Sequence, residues 1–153
     1  MKRAPDSTHP IPRPDPNQPP AAQPTEILLA MLLWGEARGE GLIGLRAVAQ
    51  VVANRARRGG WFGRGWREVM LKPYQFSCFL PDDPQAAWLL TPLAHGTPET
   101  WQKCLYVARE ALEQRLPNMV GNATHYYAVS IPAPRWAKEM TFVRQIGRHR
   151  FYE

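Results

Sequence analysis

The chain has 153 residues and a formal net charge of +6, which allows one domain with a modest core and little room for a second. Two cysteines, Cys78 and Cys104, allow one bridge at most and no disulfide scaffold, and they lack any CxxC or Cys/His spacing for a metal site; their apolar surroundings favour buried free thiols. The basic charge indicates an anionic partner such as nucleic acid, an acidic glycan or a bacterial envelope. Charge alone is equally consistent with a solvated basic surface.

The first 24 residues contain 8 of the 16 prolines and few apolar side chains. This composition predicts a disordered, polyproline-like leader over residues 1–24, followed by a folded domain over residues 25–153. Lys2 and Arg3 resemble the start of a signal peptide, but no apolar segment follows them. We therefore expect no signal peptide.

Apolar periodicity, bounded by glycine or proline, predicts the helical segments of the folded domain. Residues 27–34 are apolar on every face, so the first helix should be buried, and it is too short to cross a bilayer. In chain order the predicted helices are residues 26–36 capped by Thr25, 42–57, 66–71, a single turn at 85–90, and 98–116 stopped by Pro117.

The periodicity changes to alternation after the last helix. Short alternating, aromatic-rich runs predict strands at residues 123–129, 140–146 and 148–152, with Gly147 as a hairpin turn. Helices followed by a small antiparallel sheet indicate an α+β fold.

Residues 34–41, Trp-Gly-Glu-Ala-Arg-Gly-Glu-Gly, place two carboxylates where the buried helix ends. Desolvation raises the pKa of a carboxyl group, as a general acid requires, and two acids are the usual machinery of glycoside hydrolysis. Spacing alone favours a structural alternative, in which Glu36 pairs with Arg38 or Arg46 and Glu40 caps the second helix.

Five sequence motifs, in order, resemble the signature of the SleB-type cell wall hydrolases, the family typified by spore-cortex-lytic enzymes. The resemblance extends over residues 26–152. The motifs are Trp-Gly-Glu-Ala-Arg-Gly-Glu-Gly at 34–41, Gly-Leu-Arg-Ala-Val-Ala-Gln-Val-Val-Ala-Asn-Arg at 44–55, Lys-Pro-Tyr-Gln-Phe-Ser-Cys at 72–78, Ala-Thr-His-Tyr at 123–126, and Ile-Gly-Arg-His-Arg-Phe at 146–151.

The resemblance implies a fold similar to lysozyme and the lytic transglycosylases, with a helical lobe and a small sheet flanking a glycan cleft. It implies that residues 25–153 are a catalytic domain that cleaves the β-1,4 bond between N-acetylmuramic acid and N-acetylglucosamine. Glu36 would be the catalytic acid and Glu40 a supporting residue. One acid suffices for a lytic transglycosylase, whereas a water oriented by Glu40 would make the enzyme a hydrolytic muramidase.

By the same resemblance, two segments would line the cleft and bind substrate. Tyr126 and Tyr127 are neighbours on a strand, so one of them should face the core. His149 at the end of the sheet is at least as well explained by a structural hydrogen bond as by catalysis. The implied substrate-binding residues are Gln75, Phe76, Ser77, Thr124, His125, Tyr126 and Tyr127.

The expected partner is the glycan strand of peptidoglycan. We expect no cofactor, no bound metal, no nucleic acid and no membrane insertion, and a monomeric protein. The absence of a signal peptide suggests a bacteriophage endolysin, held in the host cytoplasm until a holin releases it, or a virion-associated lysin whose leader contacts a phage tail or virion protein. A bacterial origin stays open.

Two rival functions come from other classes. A zinc amidase would use His95, His125 and His149, but no HExxH or similar spacing supports it. A nucleic-acid-binding module would use the basic residues and the tryptophans, with Glu36 merely structural.

Overall fold

A computed structural model describes residues 10–153 of the protein. Helices come first along the chain and a small antiparallel sheet last, which confirms the α+β prediction. Short 3-10 turns connect them, including Ser77–Phe79 and Ala86–Leu90. The elements are α1 Thr25–Ala37, α2 Gly41–Arg58, α3 Gly65–Leu71, α4 Pro98–Leu112, β1 His125–Ala128, β2 Phe142–Ile146 and β3 His149–Tyr152.

Helix α1 is the centre of the core. Every residue from Ile27 to Trp34 is buried, as its uniformly apolar sequence predicts. Helices α2, α3 and α4 pack around it, and the 3-10 turns at 77–79 and 86–90 cover its C-terminal end. Because burying a leucine contributes about 1.5–3 kcal/mol, this one helix accounts for much of the stability of the core.

An ion pair joins α2 to α4. Arg46 donates to Glu110 through Nε, 2.9 Å from Oε1, and through Nη2, 3.2 Å from Oε2. Glu110 is buried and Arg46 is half-buried, so the pair is partly shielded from water. The interpretation in which Arg46 pairs with Glu36 is therefore wrong.

Two predicted helix ends are also wrong. Helix α4 ends at Leu112 rather than at 116, because Gln114 adopts a left-handed conformation with φ of 57° and the amide of Arg115 donates back to the carbonyl of Glu110. Thr25 is the first residue of α1 and makes no capping hydrogen bond; its hydroxyl instead accepts a hydrogen bond from Arg67.

Residues 10–24 do not behave as the predicted disordered leader. Trp101 Nε1 donates to the carbonyl of Pro12 at 2.7 Å, and Arg67 Nη1 donates to the carbonyl of Gln23 at 2.8 Å. The side chain of Gln23 is buried and binds the backbone of Asp15. A proline-rich backbone suits this role because its carbonyls are not used in secondary structure. The rest of the predicted leader, residues 1–9, lies outside the described residues.

The sheet has the strand order β1-β3-β2, with both pairs antiparallel. Its hairpin turns at Gly147, as predicted, with φ of 56°. Oε2 of Glu40 accepts a hydrogen bond from the amide of Arg148 at 3.2 Å, and a Cβ on Gly147 would collide with the same carboxylate. Glu40 makes no capping bond to α2, so it joins the α1–α2 junction to the sheet instead.

None of the helices within residues 10–153 is both long enough and apolar enough to cross a lipid bilayer.

We predict that Gly147→Ala destabilises the protein more than Gly121→Ala does. Both glycines have positive φ, which costs alanine about 1–2 kcal/mol. Only at Gly147 would the new methyl group also push the Glu40 carboxylate away from the Arg148 amide, and the lost hydrogen bond adds about 0.5–1.5 kcal/mol. Urea unfolding measures both changes. Glu40→Ala should cost less stability in the Gly147→Ala background than in the wild type, and equal losses in the two glycine variants would contradict the contact.

Candidate active site

The C-terminal end of α1 carries Glu36 into contact with the 3-10 turn at 77–79. Gly35 makes this approach possible, since a Cβ placed on it would lie 2.6 Å from the Cβ of Cys78. The close packing brings Cys78 next to the Glu36 carboxyl group. Gly35 of the first motif therefore allows Cys78 of the third motif to pack against the acid.

The carboxyl group of Glu36 is held in an environment that favours its protonated form. Burial raises its pKa above the ordinary value, and Asp83 raises it further. Contacts with the Cys78 thiol and backbone and with the Tyr126 hydroxyl lower the pKa in part. None of these contacts satisfies Oε1, which is buried and has no hydrogen-bond partner among residues 10–153.

The groups beside Glu36 are themselves neutral. Burial raises the pKa of the Cys78 thiol and of the Tyr126 hydroxyl, and the nearby Glu36 carboxylate raises both further. A thiol and a phenol that keep their protons are hydrogen-bond donors. They can therefore stabilise a negative charge on Glu36 without competing for its proton.

Tyr126 is positioned by aromatic packing on the inner face of the sheet. Its ring lies 5.2 Å from His149, edge to face, and 5.6 Å from Phe151. His149 is buried, its Nδ1 has no hydrogen-bond partner within the described chain, and burial lowers its pKa. The structural hydrogen bond expected for His149 is therefore not seen at Nδ1.

Arg55, which was not predicted as a site residue, connects the two predicted substrate-binding segments. Its Nε donates to the carbonyl of Thr124 at 2.7 Å, and its Nη1 lies 3.5 Å from Oε1 of Gln75. Its guanidinium lies 5.1 Å from the ring of Phe76 and 5.2 Å from that of Phe62. The side chain is buried, and this burial lowers its pKa.

The predicted substrate-binding residues divide between two faces of β1. Tyr126 faces Glu36, whereas His125 and Tyr127 pack against Trp136 on the other face, with ring centroids 5.0 and 5.9 Å away. The prediction that Tyr126 and Tyr127 point to opposite sides is confirmed. Ser77 is exposed, and its neighbour Cys78 faces the acid instead.

Arg38 holds a loop close to Glu36 rather than pairing with it. Its Nη1 donates to the carbonyl of Trp34 and to Oε1 of Gln85, and its guanidinium lies over the Trp34 ring. The backbone N–H of Gln85 in turn donates to Oδ1 of Asp83 at 2.8 Å. The expected pair between Glu36 and Arg38 is wrong. Asp83, which lies outside the five motifs, is a second carboxylate near the acid.

The three histidines of the zinc-amidase alternative make different aromatic contacts. His95 stacks on Trp88, His125 contacts Trp136, and His149 contacts Tyr126. In the part of the chain that the structure describes, no three residues of the His, Cys, Asp and Glu types form a group able to hold a metal ion. Both cysteines are buried and free, as predicted, and burial raises the pKa of Cys104 to about 12.

The chain has a helical lobe and a small antiparallel sheet, which is an α+β fold of the lysozyme-like class, and it carries a buried carboxyl group whose surroundings raise its pKa. The chain belongs to the cell wall hydrolase family, whose model matches residues 39–152. Members of this family are peptidoglycan-degrading enzymes, and this chain is one. The matched region begins after Glu36, so the assignment of the acid depends on the structure and on the first motif.

Two solved structures are similar to this chain in fold. One is the catalytic domain of the germination-specific lytic transglycosylase SleB from Bacillus anthracis, with a TM-score of 0.65 and 23% identity, covering 84% of this chain and 93% of that one. The other is the catalytic domain of the Bacillus cereus SleB protein, with a TM-score of 0.65 and 24% identity, covering 84% of this chain and 89% of that one. No curated protein matches the sequence of this chain.

We predict that Glu36→Gln stabilises the protein at neutral pH. A carboxyl whose pKa is raised on folding is protonated in the folded state at pH values where the unfolded chain has ionised, so folding stability falls as pH rises from about 4.5, the ordinary value, through the raised pKa. A glutamine at this position carries no such penalty. The stability gain should therefore be small at pH 4 and larger at pH 7.

Urea unfolding of the wild type and Glu36→Gln at both pH values measures this difference. Glu99→Gln, which removes a carboxyl group from the exposed first turn of α4, isolates the contribution of the buried group. A Glu36→Gln variant that is no more stable at pH 7 than at pH 4, relative to the wild type, would contradict the raised pKa.

Proposed function

We propose that this protein is a lytic transglycosylase that cleaves the β-1,4 bond between N-acetylmuramic acid and N-acetylglucosamine in peptidoglycan. Glu36 acts first as the general acid and then as the general base. The family supports peptidoglycan as the substrate, and a protein of similar fold from Bacillus anthracis is described as a lytic transglycosylase.

The observation that supports the proposal most directly is the burial of the Glu36 carboxyl group. Burial favours its protonated form, and Oε1 has no hydrogen-bond partner within residues 10–153, so its hydrogen-bonding capacity is not used by the described part of the protein. A carboxyl group whose pKa is raised stays protonated to higher pH, and the protonated form is the one that can donate to a glycosidic oxygen.

The proposed reaction needs only this one acid. Glu36 donates its proton to the glycosidic oxygen as the bond from C1 of the muramic acid to that oxygen breaks, and N-acetylglucosamine leaves as an alcohol. The Tyr126 hydroxyl and the Cys78 thiol stabilise the carboxylate that remains. The C6 hydroxyl of the same muramic acid then attacks C1 and gives its proton to Glu36, which closes a 1,6-anhydro ring and regenerates the acid.

We predict that Glu36→Gln lowers the rate of peptidoglycan cleavage at least about 100-fold, because the amide keeps the shape of the side chain but cannot donate the proton. Turbidity loss of purified cell walls measures the rate, and circular dichroism verifies the fold. Glu40→Gln is the matched control, since it changes the other motif glutamate, whose Oε2 already accepts the Arg148 amide. Near-wild-type cleavage by folded Glu36→Gln would eliminate the proposed mechanism.

A second candidate, a hydrolytic muramidase acting at the same bond, is favoured by one observation. Asp83 is close enough to Glu36 to raise its pKa, so a second carboxylate is present near the acid. It would orient a water molecule for attack on C1. Asp83 suits this role better than Glu40, which is engaged with the hairpin.

Mass spectrometry of the digested glycan separates these two candidates. We predict muropeptides with 1,6-anhydro ends, and we expect Asp83→Asn to retain most of the cleavage rate because no water needs to be activated. Reducing muramic acid ends, together with a loss of activity in Asp83→Asn, would instead establish the muramidase. Freed stem peptides with intact glycan would indicate an amidase.

The monomeric state, the role as a phage endolysin, the release by a holin and a virion partner for the leader all stay predictions. The basic surface is consistent with an anionic bacterial wall as the place of action.

A further inference from the structure

A cavity of about 740 Å³ lies outside the candidate active site, between α2, the start of α3 and the loop that follows α4. Its size is typical of ligand-binding sites. Asn54, Arg57 and Asn122 also line a second cavity of about 330 Å³, which reaches Arg58 and Thr124. The two cavities therefore form one groove that ends at the first residues leading into β1.

The chemistry of this groove favours an anionic, hydrogen-bonding ligand. No aspartate or glutamate is among its lining residues, which include several side-chain amides as well as Arg57 and Arg58. Arg57 uses Nη2 to donate to Oδ1 of Asn54 at 2.8 Å, and neither arginine forms an ion pair within residues 10–153. Guanidinium groups without a carboxylate partner match the needs of a carboxylate.

The floor of the groove is rigid. Oε1 of Gln50 accepts hydrogen bonds from the amides of Met119 and Val120, and its Nε2 donates to the carbonyl of Gly121. Asn54 Nδ2 donates to the carbonyl of Gly121 as well. These bonds attach the loop at 118–121 to α2, so the groove is formed before a ligand arrives and little ordering is needed on binding.

The groove ends at the start of the strand that leads to the candidate active site. Thr124 at its rim precedes Tyr126 by two residues, which is about 7 Å along a strand, and the Tyr126 hydroxyl contacts Glu36. In peptidoglycan the stem peptide is attached to the muramic acid, the sugar whose C1 is attacked in the proposed reaction. In that reaction the stem peptide begins beside the acid.

We propose that this groove binds the stem peptide of the muramic acid at the cleavage position, with Arg57 and Arg58 engaging a carboxylate of the peptide. The proposal rests on the proposed function for the bond that is cut. It adds a substrate class, since the enzyme would recognise peptide-bearing glycan in preference to bare glycan.

Direct binding tests the proposal without any need for cleavage. Isothermal titration calorimetry would compare N-acetylmuramyl tripeptide carrying free carboxylates with the same compound carrying amidated carboxylates. We expect the wild type to bind the free form about tenfold more tightly, the size of one charge-assisted hydrogen bond, and Arg57→Gln/Arg58→Gln to lose this difference. Arg64→Gln/Lys103→Gln removes the same charge from exposed positions outside the groove and should retain it.

Arg57 also donates a hydrogen bond to Asn54, so its replacement could weaken binding by changing the structure. The single variant Arg58→Gln keeps this bond. It should lose part of the preference for the free carboxylates and should unfold at the same urea concentration as the wild type. Equal binding of the free and amidated compounds by the wild type, or a preference that survives in Arg57→Gln/Arg58→Gln, would overturn the proposal. A protein that binds with the expected preference but cuts no glycan would support the peptide site and refute the proposed function.

Discussion

The burial of α1 on all sides is the constraint from which the site follows. A helix packed by α2, α3 and α4 has no solvent-facing stripe, so the polar residue at its C-terminal end is carried into the protein with it. The core that stabilises the fold is therefore the same structure that desolvates Glu36. Burial raises the pKa of this carboxyl group and so favours its protonated form, and neither Arg38 nor Arg46 pairs with it because both are engaged with other partners.

Much of the fold could be predicted from the sequence because its signals are local. The apolar run of α1, the stripes of α2 and α4 and the alternation before Gly147 each specify an element without reference to the rest of the chain. The largest error arose where distant residues decide the conformation. Residues 10–24 are ordered by Trp101 and Arg67, which proline content cannot reveal.

The candidate site could be predicted only in part for the same reason. Glu36 and Tyr126 lie within motifs, and the structure brings them together. Cys78, Asp83 and Arg55 come from three different segments, and their relation to Glu36 depends on how those segments pack. For Arg55 the available signal was its place as the last residue of a motif, next to an apolar stripe, because a buried arginine needs partners for its hydrogen bonds.

The hydrogen bond between Glu40 and the hairpin joins the helical lobe to the sheet. Only three residues separate Glu36 from Glu40, and the Glu40 carboxylate accepts a hydrogen bond from the amide of Arg148. The position of the hairpin and the position of the acid are therefore linked through one hydrogen bond and a short stretch of backbone, so the sheet and the helices keep a fixed register beside Glu36.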